Sequence, residues 1–103
     1  MAKKTYADLP NYGEVYPGDI EDPKVGEIVH IKDEWRADYE PDDRYMITNV
    51  NDVSRRCYIT CIDSDLPIKP SNLVAFSMIE RHPEDAEYSK ELVKEFFDRE
   101  NNK

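Results

Sequence analysis

Glycine is nearly missing from this chain. Gly13, Gly18 and Gly26 are its three glycines, and none follows in the remaining three quarters of 103 residues. Phosphate-cradling loops need glycine where the backbone closes on the ligand. Dinucleotide and P-loop fingerprints are therefore excluded. Long apolar runs are missing too: nothing approaches the roughly 20 residues that span a bilayer. Lys3 and Lys4 near the N-terminus have no apolar stretch behind them, so a signal peptide is not expected. The expected location is the cytoplasm, with no membrane partner. Positive charge is also scarce, and the net charge is −9. Phosphate backbones are bound through Lys and Arg, so direct nucleic-acid binding is not expected.

What is present suits one soluble domain with a modest core. The chain is 39% hydrophobic and 36% charged, too apolar for a fully disordered protein. Its charge is uneven. Residues 33–43 hold six acids and one base, and residues 84–100 hold seven acids and three bases. Residues 44–82 hold four acids and five bases, so the middle is nearly neutral.

Residues 1–24 read as an extended N-terminal arm. Pro10, Pro17 and Pro23 oppose regular structure there, while Tyr6, Tyr12 and Tyr16 supply aromatic area suited to docking. "VGEIVHIK" then reads as a strand after a turn at Gly26, with Val29 and Ile31 on one face and Ile28 and His30 on the other. The stretch "RYMITNVNDVSRRCYITCI" nearly repeats itself. Both halves are β-branched and aromatic at strand length, around the turn chemistry of residues 51–55. One antiparallel hairpin explains the echo. "SDLPIKPSN" interrupts the sheet with two prolines, and "LVAFSMIE" reads as another strand. After His82-Pro83 the period changes: Tyr88, Leu92 and Phe96 step by four, with Val93 and Phe97 beside them. That is an amphipathic helix, with Pro83 in its first turn and Glu84, Asp85 and Glu87 at the positive end of its dipole. Leu92, Val93, Phe96 and Phe97 are expected against the sheet or a second copy of the chain.

This order of strand, long acidic loop, tight hairpin, Pro-Ser-Asn break and final strand resembles the Src-homology-3-like small barrel. Pro70-Ser71-Asn72-Leu73-Val74 is similar to that family's Pro-Ser-Asn-Tyr-Val segment, a short 3₁₀ turn before the last strand. The resemblance covers about residues 25–82 and implies a mainly β fold there, a small five-stranded barrel; the C-terminal helix over 83–101, read from its own apolar period, is expected to pack on it. The resemblance also implies a role for Pro70 and Asn72 in peptide binding. Leu73 stands where the family has tyrosine, Trp35 lies upstream of the family's tryptophan, and the Ala-Leu-Tyr-Asp-Tyr opening is missing.

Catalysis is not expected. On a strand, Cys57 and Cys61 sit roughly 13 Å apart, whereas a disulfide needs Cα atoms within about 7 Å. Together with His30 and His82 they match no common zinc spacing, and residues 33–43 lack the glycine and spacing of an EF-hand. No metal and no cofactor is expected, and both histidines read as structural or surface residues. Small-barrel toxin ribonucleases use arginine with threonine or serine, and Arg44 and Thr60 offer those types; the net charge opposes an RNA substrate. The favoured function is a non-catalytic interaction module for a basic protein segment. Its site is the acidic aromatic loop, with Trp35, Tyr39, Asp38, Glu40, Asp42 and Asp43, Tyr45 beside them, and Pro70 and Asn72 on a second edge. An acidic inhibitor that mimics nucleic acid is the alternative. The C-terminal helix offers a route to a homo-oligomer.

Overall fold

A computed structural model describes residues 11–63 and 71–101 of the chain. Five antiparallel strands form one sheet: β1 (Ile28–Ile31), β2 (Tyr45–Asn51), β3 (Arg56–Cys61), β4 (Ser71–Ala75) and β5 (Ile79–Glu80), in the order β4-β3-β2-β1-β5. A 16-residue helix, α1 (Ala86–Asn101), follows. The protein is thus mainly β with a C-terminal helix. The sheet is open, with β4 at one edge and β5 at the other.

The hairpin at the centre follows from its sequence. β2 pairs with β3 from Tyr45↔Cys61 to Asn51↔Arg56. Asn51 Oδ1 accepts hydrogen bonds from the backbone N–H groups of Val53 and Ser54, closing the turn. The left-handed residue is Arg55 (φ +56°) rather than Asn51 or Asp52. A bulge between Ile47 and Asn49 leaves Thr48 and Asn49 both exposed. The extra residue returns Val50 to the core side, opposite Cys57.

The core is Val29, Ile47, Cys57, Ile59, Val74, Phe76 and Ile79, joined by Ile20 from the arm. Burying each large aliphatic side chain contributes roughly 1.5–3 kcal/mol. The arm docks through Ile20 and Pro23, which are buried; Tyr12 and Tyr16 stay at the surface. Tyr12 still lies against the hairpin, its ring 4.4 Å from the Arg56 guanidinium, and the Gly13 N–H donates to the Ser54 carbonyl. Arg55 clamps the arm by donating from Nε and Nη2 to Asp19 Oδ2, at 3.1 and 2.9 Å. Tyr6 and Pro10 lie outside the described residues.

Two expectations for residues 70–80 are corrected. Ser71 and Asn72 are not in a 3₁₀ turn; they are strand residues paired with Thr60 and Ile59. "LVAFSMIE" is not one strand but β4, a 3₁₀ turn at Phe76–Met78, and β5. The break has a physical cause. The Phe76 N–H donates to the Arg55 carbonyl and the Phe76 carbonyl accepts from Ile20, which turns the chain from one sheet edge toward the other.

β1 is covered on both faces. Val29 and Ile31 meet the core, and Ile28 and His30 point the other way, yet both are buried. The helix supplies part of that second cover. Ser89 Oγ accepts the Ile28 N–H at 3.0 Å. Gly26 (φ +95°) lets α1 come close: a Cβ there would sit 2.7 Å from a Phe96 ring carbon and 3.0 Å from the Leu92 carbonyl oxygen. Leu92, Val93 and Phe96 are half-buried, but Phe97 is 65% exposed, contrary to its expected packing. The apolar stripe is wider than the contact. No helix among the described residues is long and apolar enough to cross a membrane.

Candidate functional site

The second face of β1 carries the densest polar chemistry in the fold. His30 is only 5% exposed, and both ring nitrogens face carboxylates. Nδ1 lies 2.9 Å from Asp42 Oδ1, and Nε2 lies 2.6 Å from Asp85 Oδ2. Burial disfavours the charged imidazolium, but the hydrogen bonds to Asp85 and Asp42 outweigh it and hold the His30 pKa above its usual value. The ring of His82 stacks on that of His30, with centroids 3.6 Å apart and planes 11° from parallel. His82 in turn lies 3.3 Å from Glu80 through Nε2 and 3.3 Å from Glu84 through Nδ1.

Three elements converge to build this cluster. β1 and β5 place His30 opposite Glu80 in the sheet register. The chain leaves β5 through His82 into the 3₁₀ turn Pro83–Asp85, where the Asp85 N–H bonds the His82 carbonyl and turns the carboxylate inward. Asp42 arrives from the acidic loop. His30, His82 and Asp85 each offer a ligand atom within 4.8 Å of the others. Neither cysteine belongs to that group. Cys57 sits in the core, where burial and then Glu27 push its thiol up to about 12. Cys61 donates to Asp43 Oδ2 at 3.6 Å. Both are thiols rather than disulfide partners.

Sequence reasoning missed the cluster. It read His30 and His82 as structural or surface residues and Asp85 as an acid at the positive end of the helix dipole. One signal was available: a histidine inside a strand covered on both faces must find buried polar partners.

The acidic loop divides into anchored ends and an exposed tip. A 3₁₀ turn at Asp33–Trp35 starts it, and Arg36 Nε donates to the Ile31 carbonyl. Ala37 is buried, and the Glu40 N–H bonds the Ala37 carbonyl in a second turn. Asp42 is held by His30, and Asp43 by Cys61. Between these anchors Tyr39 is 85% exposed, with Asp38, Glu40 and Pro41 exposed beside it. Trp35 is half-buried, and the chain becomes extended at Arg36, so no single turn sets Trp35 beside Tyr39. Tyr45 packs on the core, and burial raises its phenol pKa. Asn72 is exposed on β4, ahead of the 3₁₀ turn at Phe76–Met78 rather than in it; Pro70 lies outside the described residues. Arg44 is engaged by Asp63, with Nη2 2.7 Å from Oδ1.

A cleft of about 690 Å³ opens between α1 and the sheet, beside the histidine cluster. Ile28, Val93 and Phe97 give it apolar lining, and His82 and Asp85 reach it from the 3₁₀ turn. Arg81, also lining it, pairs with Glu27. No family model, curated protein or solved structure matches the chain.

Proposed function

We propose that this protein is a non-catalytic interaction module that captures a Lys/Arg-rich segment of another protein on the tip of its acidic loop. The observation that carries the reading is Tyr39, 85% exposed between Asp38 and Glu40 on a loop fastened at both ends. An exposed aromatic on a flexible spacer would have to be ordered at each encounter. Here the fastening of both loop ends lowers that ordering cost. The carboxylates speed encounter with a basic segment, and the ring offers a desolvated anchor and a cation–π face. Trp35 is half-buried in the 3₁₀ turn that starts the loop, and Asp42 and Asp43 brace its far end. The strand order, with a 3₁₀ turn before a short last strand, supports a Src-homology-3-like arrangement of strands in an open sheet.

The test is fluorescence anisotropy with a labelled ten-residue Lys/Arg peptide, at low and high salt. Wild type should bind more weakly at high salt. Tyr39→Ala should cost roughly 2 kcal/mol, as hot-spot aromatics do, and Glu40→Gln should reduce the salt dependence. Equal affinity for wild type and Tyr39→Ala would overturn the reading.

A further inference from the structure

We infer that His30, His82 and Asp85 form a binding site for one divalent metal ion of the zinc class, with Asp42 as the carboxylate that orients His30. Four features carry it. First, the ligand atoms are gathered from β1, from His82 in the link after β5 and from the 3₁₀ turn, within 4.8 Å of one another. Second, the donor set is two imidazoles and one carboxylate, which suits zinc and its neighbours rather than calcium or magnesium, whose sites are built from oxygen. Third, Asp42 Oδ1 sits 2.9 Å from His30 Nδ1, the ring atom that points away from Asp85. A carboxylate behind a histidine fixes its tautomer and leaves Nε2 for the metal. Fourth, the surroundings are rich in negative charge. Asp42 and Asp85 flank one ring, and Glu80 and Glu84 flank the other. Four carboxylates around two imidazoles leave a net negative charge even with both rings protonated.

The geometry requires two small adjustments. At zinc–ligand distances near 2.0–2.1 Å, two tetrahedral ligand atoms stand about 3.3 Å apart. His30 Nε2 and Asp85 Oδ2, now at 2.6 Å, must separate by the difference as the metal takes the place of the proton between them. Parallel rings send their lone pairs side by side, so His82 must also tilt out of the stack. Its side chain is 23% exposed and held by the ring stack and two contacts of 3.3 Å, so the tilt exchanges those contacts for the bond to the metal. His82 and Asp85 both line the cleft, which leaves the remaining coordination position reachable by water or a small anion.

The experiment titrates metal-free protein with Zn²⁺ by calorimetry and with Co²⁺ by visible absorption. The expected result is one equivalent bound, a cobalt spectrum of a four-coordinate nitrogen–oxygen site without a thiolate charge-transfer band, and much weaker Ca²⁺ binding. His82→Ala and Asp85→Asn should each weaken Zn²⁺ binding at least tenfold, and Asp42→Asn by about 10- to 100-fold. Cys61→Ser should leave it unchanged. Helical circular dichroism checks each variant, and His82→Gln replaces His82→Ala if the latter unfolds. Absence of saturable binding, equal Ca²⁺ affinity, unchanged affinity in the His82 and Asp85 variants, or loss of binding in Cys61→Ser would each overturn the site.

Discussion

Asp63 holds Arg44 twice over. Its Oδ1 accepts from Arg44 Nη2 at 2.7 Å, and its Oδ2 accepts from the Arg44 backbone N–H at 2.8 Å. The side-chain and backbone hydrogen bonds from Arg44 hold the Asp63 carboxyl below its ordinary value. A depressed carboxylate contributes stability that is present above its unfolded pKa, about 3.9, and is lost as pH falls through the lower folded value. Asp63→Asn should therefore lower the urea midpoint slightly at pH 7, and the gap to wild type should close toward pH 3. A gap independent of pH would mean the clamp does not act through charge. At this scale the sequence was least informative. Arg44–Asp63, Arg55–Asp19 and the His30 cluster join residues 19, 36 and up to 55 positions apart. No local spacing announces a pairing that the sheet register makes. The exposure of Tyr39 and the half-burial of Trp35 likewise depend on how the loop is pinned, by Asp42 and Arg36, to a strand already passed.

The elements were far more legible. The hairpin's turn lies where Asn51 puts it, because side-chain capping of a turn is local chemistry. The helical segment after His82 was legible, but Pro83, Glu84 and Asp85 form a 3₁₀ turn and α1 itself starts at Ala86. What failed was the division of 70–80, where β-propensity is high throughout and the break comes from bonds to Arg55 and Ile20 instead. The helix also shows the limit of an apolar stripe. Phe96 touches the chain at Gly26, while Phe97 is largely in solvent. Phe96→Ala should cost roughly 1.5–2.5 kcal/mol, about half of what a fully buried phenylalanine loses. Phe97→Ser should stay within about 0.5 kcal/mol. Thermal melts of the two variants check this. A large loss in Phe97→Ser would show that the ring is covered in solution, as a helix-mediated dimer would cover it.

For the molecule as a whole, the helix is the least committed part. It contributes little to the main core, which is built from the sheet and Ile20. Its hold on β1 includes a single hydroxyl, Ser89 Oγ, receiving the Ile28 amide. That amide therefore depends on a side chain of another element, whereas the Ile47 N–H donates to the backbone carbonyl of Glu27. In hydrogen–deuterium exchange the two amides become clocks for different events. Ile28 should exchange each time α1 lifts away, a partial opening that leaves the sheet intact; Ile47 should wait for rarer global unfolding. Ser89→Ala should speed the first clock and leave the second alone. Equal rates at both positions would make helix and sheet one cooperative unit. If the rates part, the face of β1 that carries His30 is opened to water on a timescale set by a helix, without the rest of the protein coming undone.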